Sequence, residues 1–182
     1  MTVYAQLEGL DKLVKQSQAG DREAYGKIYQ WYRTRIYRFV YYLIGNQQTA
    51  EDLTQVTFIR VWKALSYYSR DKGTFASYLF STARNLVIDW QRKKKDVPLL
   101  HAEWIETPDT LIEDLAKKER KQVLTKTLRT LSEADRQIVT LRFFEELSFA
   151  EIARIVRKSE VGVRVKLHRV LGHLRSKLKG KL

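Results

Sequence analysis

The scarcity of helix-breaking residues constrains this fold more than any other feature. Only eight glycines and two prolines occur in 182 residues, and both prolines, Pro98 and Pro108, fall in one stretch. Elsewhere apolar residues recur at three- and four-residue spacing, the period of an amphipathic α-helix. The sequence therefore predicts an all-α chain made of two small helical domains, each with its own core.

The stretch that holds both prolines has the composition of a linker. Between Asp96 and Asp114 there are six acidic residues and no lysine or arginine, whereas the chain on either side is basic. Proline, charge reversal and lost periodicity together predict domains at 1–95 and 113–182, joined by an acidic linker at 96–112.

Helix boundaries are also readable from the sequence. In the N-terminal domain the periodicity predicts helices over 7–19, 21–44, 49–66 and 74–94. Four [Ser/Thr]-x-x-[Asp/Glu] motifs precede apolar-periodic runs, at Thr49, Thr110, Ser132 and Ser148. In such a motif the hydroxyl accepts a hydrogen bond from a backbone N–H of the first turn, near which the acid is also favoured. We therefore expect these four residues to cap helices.

The C-terminal sequence has the pattern of a helix-turn-helix. A short helix over Phe149–Val156 is followed by the polar turn RKSE and by a second helix that opens near Val161. The second helix has one apolar face and one basic face, and a DNA major groove admits a single helix of this kind. The expected DNA contacts lie on its basic face and in the turn before it: Ser159, Glu160, Arg164, Lys166, His168 and Arg169.

The helix predicted over 74–94 separates an apolar stripe from a polar one. The expected core stripe is Phe75, Leu79, Thr82, Leu86 and Trp90, and the polar stripe is Ser77, Ser81, Arg84, Asn85, Ile88, Gln91 and Arg92. Asp89 is the only acid between Phe75 and Lys95, whereas a merely solvated face more often mixes acids with bases. The run Lys93–Lys95 ends the helix, where cations contact phosphate or simply stabilise the helix end.

Composition limits the class of partner. The net charge of +13 and the pI of about 9.9 favour an anionic partner such as nucleic acid. No cysteine is present, and no apolar run approaches the ~20 residues of a membrane span. The N-terminal residues lack the apolar segment of a signal peptide, so we expect a cytoplasmic protein without stable membrane insertion.

The sequence gives no support for catalysis. It contains neither a GxxxxGK[ST] phosphate loop nor an HExxH motif. His168 and His173 are five residues apart and diverge on a helix, and His101 falls in the predicted linker. We therefore expect no enzyme activity, no cofactor and no metal site.

Three stretches together resemble bacterial RNA polymerase sigma factors of the extracytoplasmic-function (ECF) type. AEDLTQVTFIRVWKAL resembles the region 2 helix that docks on the polymerase. TFASYLFSTARNLVIDWQRKKK resembles the promoter-reading helix that follows it. LSEADRQIVTLRFFEELSFAEIARIV with VRVKLHRVLGHLRSKL resembles region 4. The resemblance covers residues from about 11 to 180, with the motifs in the order and spacing of the family.

The resemblance implies roles for individual residues. Core RNA polymerase would bind Asp52 and Gln55, with Glu51 beside them, and the promoter −35 element would contact the helix-turn-helix. The −10 element would be read by Asn85, with Arg84, Ser81, Ile88, Arg92 and Tyr68 around it. Tyr67, Tyr68 and Phe75 are candidates for stacking on a flipped base; the alternative for each is packing in the core or at its rim, and Phe75 also belongs to the expected core stripe. An anti-sigma factor is a further partner that the resemblance allows.

Several positions depart from the family pattern. Val56 replaces a usual glutamate, and the spacing leaves open whether Val56 or Thr57 is buried. Arg157 stands where the helix-turn-helix commonly has glycine, and Val165 where a small polar residue often faces DNA. At the turn two alternatives stay open: a reshaped backbone, or phosphate contacts from Arg157 and Lys158. Val165 predicts an unusual upstream sequence preference.

Two other functions fit parts of the sequence. A helix-turn-helix regulator that binds duplex DNA on its own would need only the C-terminal motif. A basic helical scaffold on RNA or on anionic membranes would need only the charge, and its binding would ignore sequence and weaken steeply with salt.

Overall fold

The computed structural model describes the backbone of residues 3–95 and 126–178, and the side chains of residues 9–93 and 126–176. Every regular element in these ranges is helical, as predicted. The predicted linker at 96–112 and the predicted cap at Thr110 lie outside the described residues.

The N-terminal domain contains four α-helices close to the predicted spans. They are α1 (Val3–Gln18), α2 (Arg22–Ile44), α3 (Gln47–Ala64) and α4 (Phe75–Lys95), with 3₁₀ turns at Leu65–Tyr67 and Arg70–Lys72 between α3 and α4. Asp21 begins α2 by accepting hydrogen bonds from the backbone N–H groups of Glu23 and Ala24 at 2.9 and 3.0 Å. Gly45, with φ of 77°, ends α2 in the left-handed conformation that glycine adopts without strain.

The predicted cap at Thr49 is wrong, because the cap of α3 is Asn46, three residues earlier. The Asn46 side chain accepts a hydrogen bond from the backbone N–H of Thr49 at 2.9 Å. Asn46 follows the left-handed Gly45 directly and has the extended backbone typical of a helix cap. The end of one helix and the start of the next therefore occupy adjacent residues.

The C-terminal domain contains the helix-turn-helix. After a helical segment at 126–129 come α5 (Glu133–Val139), a π-helical turn (Thr140–Phe144), α6 (Phe149–Val156) and α7 (Glu160–Leu178). The predicted caps at Ser132 and Ser148 are confirmed. The Ser132 hydroxyl accepts from the N–H of Asp135 at 3.2 Å. Ser148 and Glu151 form a complete capping box.

One continuous core joins the two domains, so the prediction of two separate cores is wrong. Helix α6 packs against α4, and α5 packs against α2. The buried Ile152 and Ile155 of α6 belong to the same cluster as the buried Leu79 and Phe80 of α4. The ring of Phe144 also lies 5.0 Å from the ring of Tyr42. Sequence periodicity identifies the apolar face of each helix but not which other helix covers it.

The structure of helix α3 shows which of Val56 and Thr57 is buried. Thr57 is fully buried, and its hydroxyl donates to the carbonyl of Leu53 at 2.6 Å. Val56 is 37% exposed. Thr57 therefore faces the core and Val56 lies on the outer face. The bond within the helix satisfies the Thr57 hydroxyl and so makes its burial possible.

The turn of the helix-turn-helix has the predicted irregularity. Arg157 ends α6 with φ of 54° and ψ of 51°, and the N–H of Lys158 donates to the carbonyl of Ala153 at 3.0 Å. A Cβ atom in this left-handed conformation costs of order 1–2 kcal/mol. The turn therefore holds a non-glycine residue in the left-handed conformation, with its backbone N–H groups bonded to the end of α6.

We expect Arg157→Gly to raise the free energy of unfolding in urea by about 0.5–1 kcal/mol. Glycine removes the left-handed strain of the folded state. It also raises the backbone entropy of the unfolded chain, which cancels part of the stabilisation. Arg157→Ala is the control, because it removes the charge and keeps the Cβ atom. Equal stabilisation by both substitutions would assign the effect to the lost charge and contradict the strain.

Candidate nucleic-acid interface

Helix α7 is held to its domain by one face and exposes the other. Val163, Leu167 and Val170 are buried against the rest of the domain. The Ser159 hydroxyl accepts from the backbone N–H of Gly162 at 3.1 Å, which satisfies a donor in the first turn. The exposed side, here called the α7 face, consists of Arg164, Val165, His168 and Arg169.

The Arg164 side chain is held in place by two contacts. Its guanidinium donates to Glu160 Oε1 at 2.6 Å and lies 4.3 Å from the centre of the Phe149 ring. Arg142 contacts the same ring at 4.8 Å. An arginine has five N–H donors, so the bond to Glu160 leaves others for a base edge. Stacking on Phe149 limits the orientations of the plane that carries them.

The other predicted residues of α7 differ in how available they are. Lys166 forms an ion pair with Asp135 at 3.1 Å and is only partly exposed. His168 and Arg169 are exposed, as are Ser159 and Glu160 at the turn. The six predicted residues therefore lie together at the start of α7, but Lys166 already has an anionic partner.

The polar stripe of α4 is less exposed than the sequence suggested. Ser81, Asn85 and Ile88 are each half-buried. Arg92 is exposed and lies 3.5 Å from Asp89, one turn away. Ser77 is buried, and its hydroxyl donates to the carbonyl of Thr74 at 2.8 Å, so its predicted place on the open polar face is wrong. A serine at the start of a helix bonds locally and needs no solvent.

A pocket lies between α4 and the segment before it. Its lining includes Tyr67, Tyr68, Tyr78 and Ser81 of the N-terminal domain and Arg154 of α6. The Tyr68 and Tyr78 rings lie 5.3 Å apart, and Tyr67 is 83% exposed. Burial raises the pKa of Tyr68 and of Tyr78, so both phenols are neutral and do not repel an anion. Aromatic walls of this kind suit an unstacked base.

Phe75 is not available for such stacking. It is 2% exposed and lies in the core, with its ring 5.6 Å from Tyr68 and 6.1 Å from Tyr32. Its candidacy as a base-stacking residue is therefore wrong. It supports the pocket from behind by packing edge-on against Tyr68.

Arg84 contacts the other domain. Its Nε donates to the side-chain oxygen of the buried Gln137 of α5 at 2.8 Å. Burial lowers the pKa of the Arg84 guanidinium, and the nearby Arg157 cation lowers it further. Asn85, by contrast, forms no side-chain hydrogen bond with any residue that the structure describes. Of these two neighbours, Asn85 alone keeps its donor and acceptor for another molecule.

A second surface lies on α3. Glu51, Asp52 and Gln55 are exposed on its outer face, as predicted. Val56 and Ile59, 37% and 53% exposed, continue the same face as an apolar patch. A groove beside this patch is lined by Gln55 and Ile59 together with the aromatic residues Tyr25, Tyr29, Phe58 and Trp62. The surface combines acid, amide and apolar groups, which suits a protein partner better than an anionic one.

Sequence reasoning missed a buried ionic cluster between the domains, here called the Glu145 cluster, which consists of Glu145, Arg35 and Arg38. The Glu145 side chain has no exposed surface. Its carboxylate accepts from Arg35 Nε at 2.9 Å and from two nitrogens of Arg38 at 2.9 and 2.7 Å. Arg38 also donates to the carbonyl of Phe144 at 2.6 Å, and Arg35 to that of Glu145 at 2.7 Å.

Burial raises the pKa of Glu145, although hydrogen bonds and charge from Arg38 and Arg35 oppose this rise. The only sequence signal was an acid inside the apolar run IVTLRFFEELSF. Such an acid reads as a surface residue unless the partner arginines, more than 100 residues earlier in the chain, are known.

Two kinds of feature are absent from the described part of the chain. None of the helices described has the length and apolar character needed to cross a membrane. Within residues 3–95 and 126–178, no group of three or more histidines and carboxylates could hold a metal ion.

Comparison with known families matches both domains. Residues 28–97 match sigma-70 region 2, and residues 121–174 match sigma-70 region 4. The chain is 33% identical over 168 residues to the ECF RNA polymerase sigma factor BldN of Streptomyces coelicolor, covering 88% of this chain and 62% of BldN. It is 30% identical over 182 residues to SigW of Bacillus subtilis, another ECF sigma factor, covering 93% of this chain and 97% of SigW.

Solved structures with the same fold come from proteins of low sequence identity. CnrH, in complex with the cytosolic domain of CnrY, is 20% identical with a TM-score of 0.74, over 96% of this chain and 99% of that one. RpoE of Bartonella quintana, in complex with the anti-sigma factor NepR, is 20% identical with a TM-score of 0.70, over 86% of this chain and 98% of that one. These likenesses confirm the predicted all-helical, two-domain fold.

Substitution of two arginines in α7 tests which of them contacts a base and which contacts phosphate. We expect Arg164→Ala to reduce discrimination among duplex DNA sequences by about 1–3 kcal/mol, because Arg164 is held for directional bonding. We expect Arg169→Ala to weaken binding to all sequences alike and to lower the slope of log affinity against log salt by about 1. Fluorescence anisotropy over a salt series measures both quantities. Loss of sequence discrimination in Arg169→Ala alone would reverse the two assignments.

Proposed function

This chain belongs to the ECF RNA polymerase sigma factors, and we propose that it binds core polymerase, recognises two promoter elements and helps to separate the DNA strands. The observation that carries the proposal is the pairing of two surfaces in one chain. The α7 face lies in the part that matches sigma-70 region 4, and Asn85 with the tyrosine pocket lies in the part that matches region 2.

The α7 face supports recognition of the −35 element as duplex DNA. Arg164 presents a stacked guanidinium near the start of the helix, where base edges are met, and Arg169 is free for phosphate. Val165 is 45% exposed between them, and an apolar side chain there suits the methyl group of thymine. We therefore propose an upstream element in which guanine and thymine lie close together.

Asn85 and the tyrosine pocket support recognition of the −10 element as a separated strand. An asparagine amide has both a donor and an acceptor and so can read one base edge. Removing a base from the stack costs a few kcal/mol, and stacking on an aromatic ring returns about 1–3 kcal/mol per base. Tyr78 of α4 and the preceding Tyr67 and Tyr68 supply the rings of this pocket.

The outer face of α3 supports docking on core polymerase. Asp52 and Gln55 are exposed with Glu51 beside them, and Val56 adds apolar area where the family usually has a glutamate. We propose that Val56 packs against an apolar group of the polymerase. RNA synthesis itself belongs to the polymerase, so this subunit is not an enzyme, and we place it in the cytoplasm with the transcription machinery.

Regulation by an anti-sigma factor is part of the proposal. RpoE of Bartonella quintana was solved with the anti-sigma factor NepR, and CnrH with the cytosolic domain of CnrY. We propose that a protein of this kind also holds the present chain.

Reconstitution with core RNA polymerase tests the function directly. We expect the chain to bind core enzyme and to direct transcripts from promoters selected out of a random library. Asp52→Ala should weaken core binding, and Arg33→Ala, at an exposed residue of α2, serves as the control.

The exposed α7 face also fits a regulator that binds duplex DNA alone. Tight sequence-specific duplex binding without any association with core would favour that function and overturn the sigma proposal.

We expect Asn85→Ala to reduce transcription from the selected promoter by about tenfold, the effect of losing one base-reading contact worth roughly 1.4 kcal/mol. Core binding should be unchanged, because Asn85 lies on α4 and the docking surface on α3. Single-round transcription and a core-binding assay measure the two effects. Two results would refute the assignment of Asn85 to a base. One is loss of core binding. The other is the same loss of transcription at every promoter variant, whichever −10 position is altered.

A further inference from the structure

The geometry points to an autoinhibited state: we propose that the C-terminal domain masks the −10 surface of α4, and that the Glu145 cluster holds it there until the promoter complex forms. This inference rests on the proposed function for what is masked. The contact between the domains rests on the structure alone.

The first argument is what the C-terminal domain covers. Arg84, on the stripe expected to read the −10 element, donates instead to Gln137 of α5. Thr74, at the start of α4, donates to Glu151 of α6 at 2.7 Å. Arg154 of α6 lines the tyrosine pocket, where its Cδ atom lies 3.3 Å from the position that a Cβ atom on Gly73 would take.

The second argument is distance. The resemblance to sigma factors implies two promoter elements about one and a half turns apart, which is roughly 50 Å at ~34 Å per turn. In this structure α6 touches α4, and α7 follows α6 after a three-residue turn. A helix of 19 residues such as α7 is only about 28 Å long. Binding of both elements at once therefore favours an arrangement in which the domains lie farther apart.

The third argument concerns what holds the domains together. Apolar contacts such as Phe144 on Tyr42 favour association but allow sliding. The Glu145 carboxylate accepts bonds from two arginines of α2, and both arginines also bond backbone carbonyls beside it. Removing one partner of a buried charge pair leaves the other charge buried and unpaired, which is strongly unfavourable. Here separation of the domains relieves that cost, because it lets water reach the unpaired charge. The side chains of Arg35 and Arg38 are already over a third exposed, so little movement is needed to hydrate them.

Distance measurement between the domains tests the holding contact without DNA or polymerase. The chain has no cysteine, so nitroxide labels are placed at Lys63→Cys in α3 and Arg175→Cys in α7, both exposed. We expect the otherwise unaltered chain to give one narrow distance population, and Glu145→Gln to add a broad population at longer distances. Glu146→Gln, an exposed neighbour, is the matched control and should leave the distribution unchanged.

Masking is tested by the binding of a single-stranded oligonucleotide that carries the selected −10 element. A site available only in a minor open state binds with an affinity reduced by the open fraction. We expect Glu145→Gln to bind this oligonucleotide about fivefold more tightly or better, and Glu146→Gln to bind as the unaltered chain does. The tighter binding should disappear when Asn85→Ala is added.

The outcomes separate this inference from the proposed function. An unchanged distance distribution in folded Glu145→Gln overturns the role of the cluster, and Arg38→Gln checks it from the other side if Glu145→Gln fails to fold. Wider distances with unchanged oligonucleotide affinity overturn the masking. Wider distances in a chain that never binds core polymerase would leave the interdomain contact standing and reject the sigma function.

Discussion

A single buried carboxylate binds the two halves of this molecule to each other through two arginines. Glu145 has no exposed side-chain surface, and every strong bond to its carboxylate comes from α2 in the other domain. Burial alone would make the charged form costly, which is why its pKa lies above the ordinary value despite two arginines. Such a cluster adds little net stability compared with apolar packing, but loss of either partner leaves a buried charge unpaired.

Local features of the chain follow from that arrangement. The π-helical turn at Thr140–Phe144 ends at Glu145, and its widened backbone leads directly into the residue that enters the interface. Arg35 lies over the rings of Tyr32 and Phe80 at 5.1 and 5.7 Å, so aromatic residues of its own domain also hold the cation. The interface therefore joins residues whose positions are fixed within each domain.

The sequence was sufficient wherever structure is decided locally. Helix spans followed from periodicity, the cap at Ser132 and the capping box at Ser148 from the motif, and the strained turn at Arg157 from a missing glycine. It failed at Thr49, where Asn46 was a better-placed cap, since several polar residues competed within one short turn. The family resemblance supplied the function, which spacing alone had left open.

What depends on contacts between distant segments could not be predicted. The pairing of Arg84 with Gln137 joins residues 53 apart, and that of Arg35 with Glu145 residues 110 apart. No periodicity encodes such a partner, and both residues of each pair look like ordinary surface groups in the sequence. For the same reason Ser77 was predicted on the open polar face although it is buried. The sequence assigned the candidate residues to particular helices, but it did not show that the two domains cover part of each other's surface.

Glu151 shows how the molecule can move without losing secondary structure. Its Oε2 atom completes the capping box by accepting from the N–H of Ser148 at 2.9 Å, while Oε1 accepts from Thr74 across the interface. The two tasks use different oxygens of one carboxylate. When the domains part, only the bond to Thr74 is exchanged for water, and the first turn of α6 remains capped. The helix-turn-helix can therefore travel as a rigid body, with its recognition geometry already set before it meets DNA.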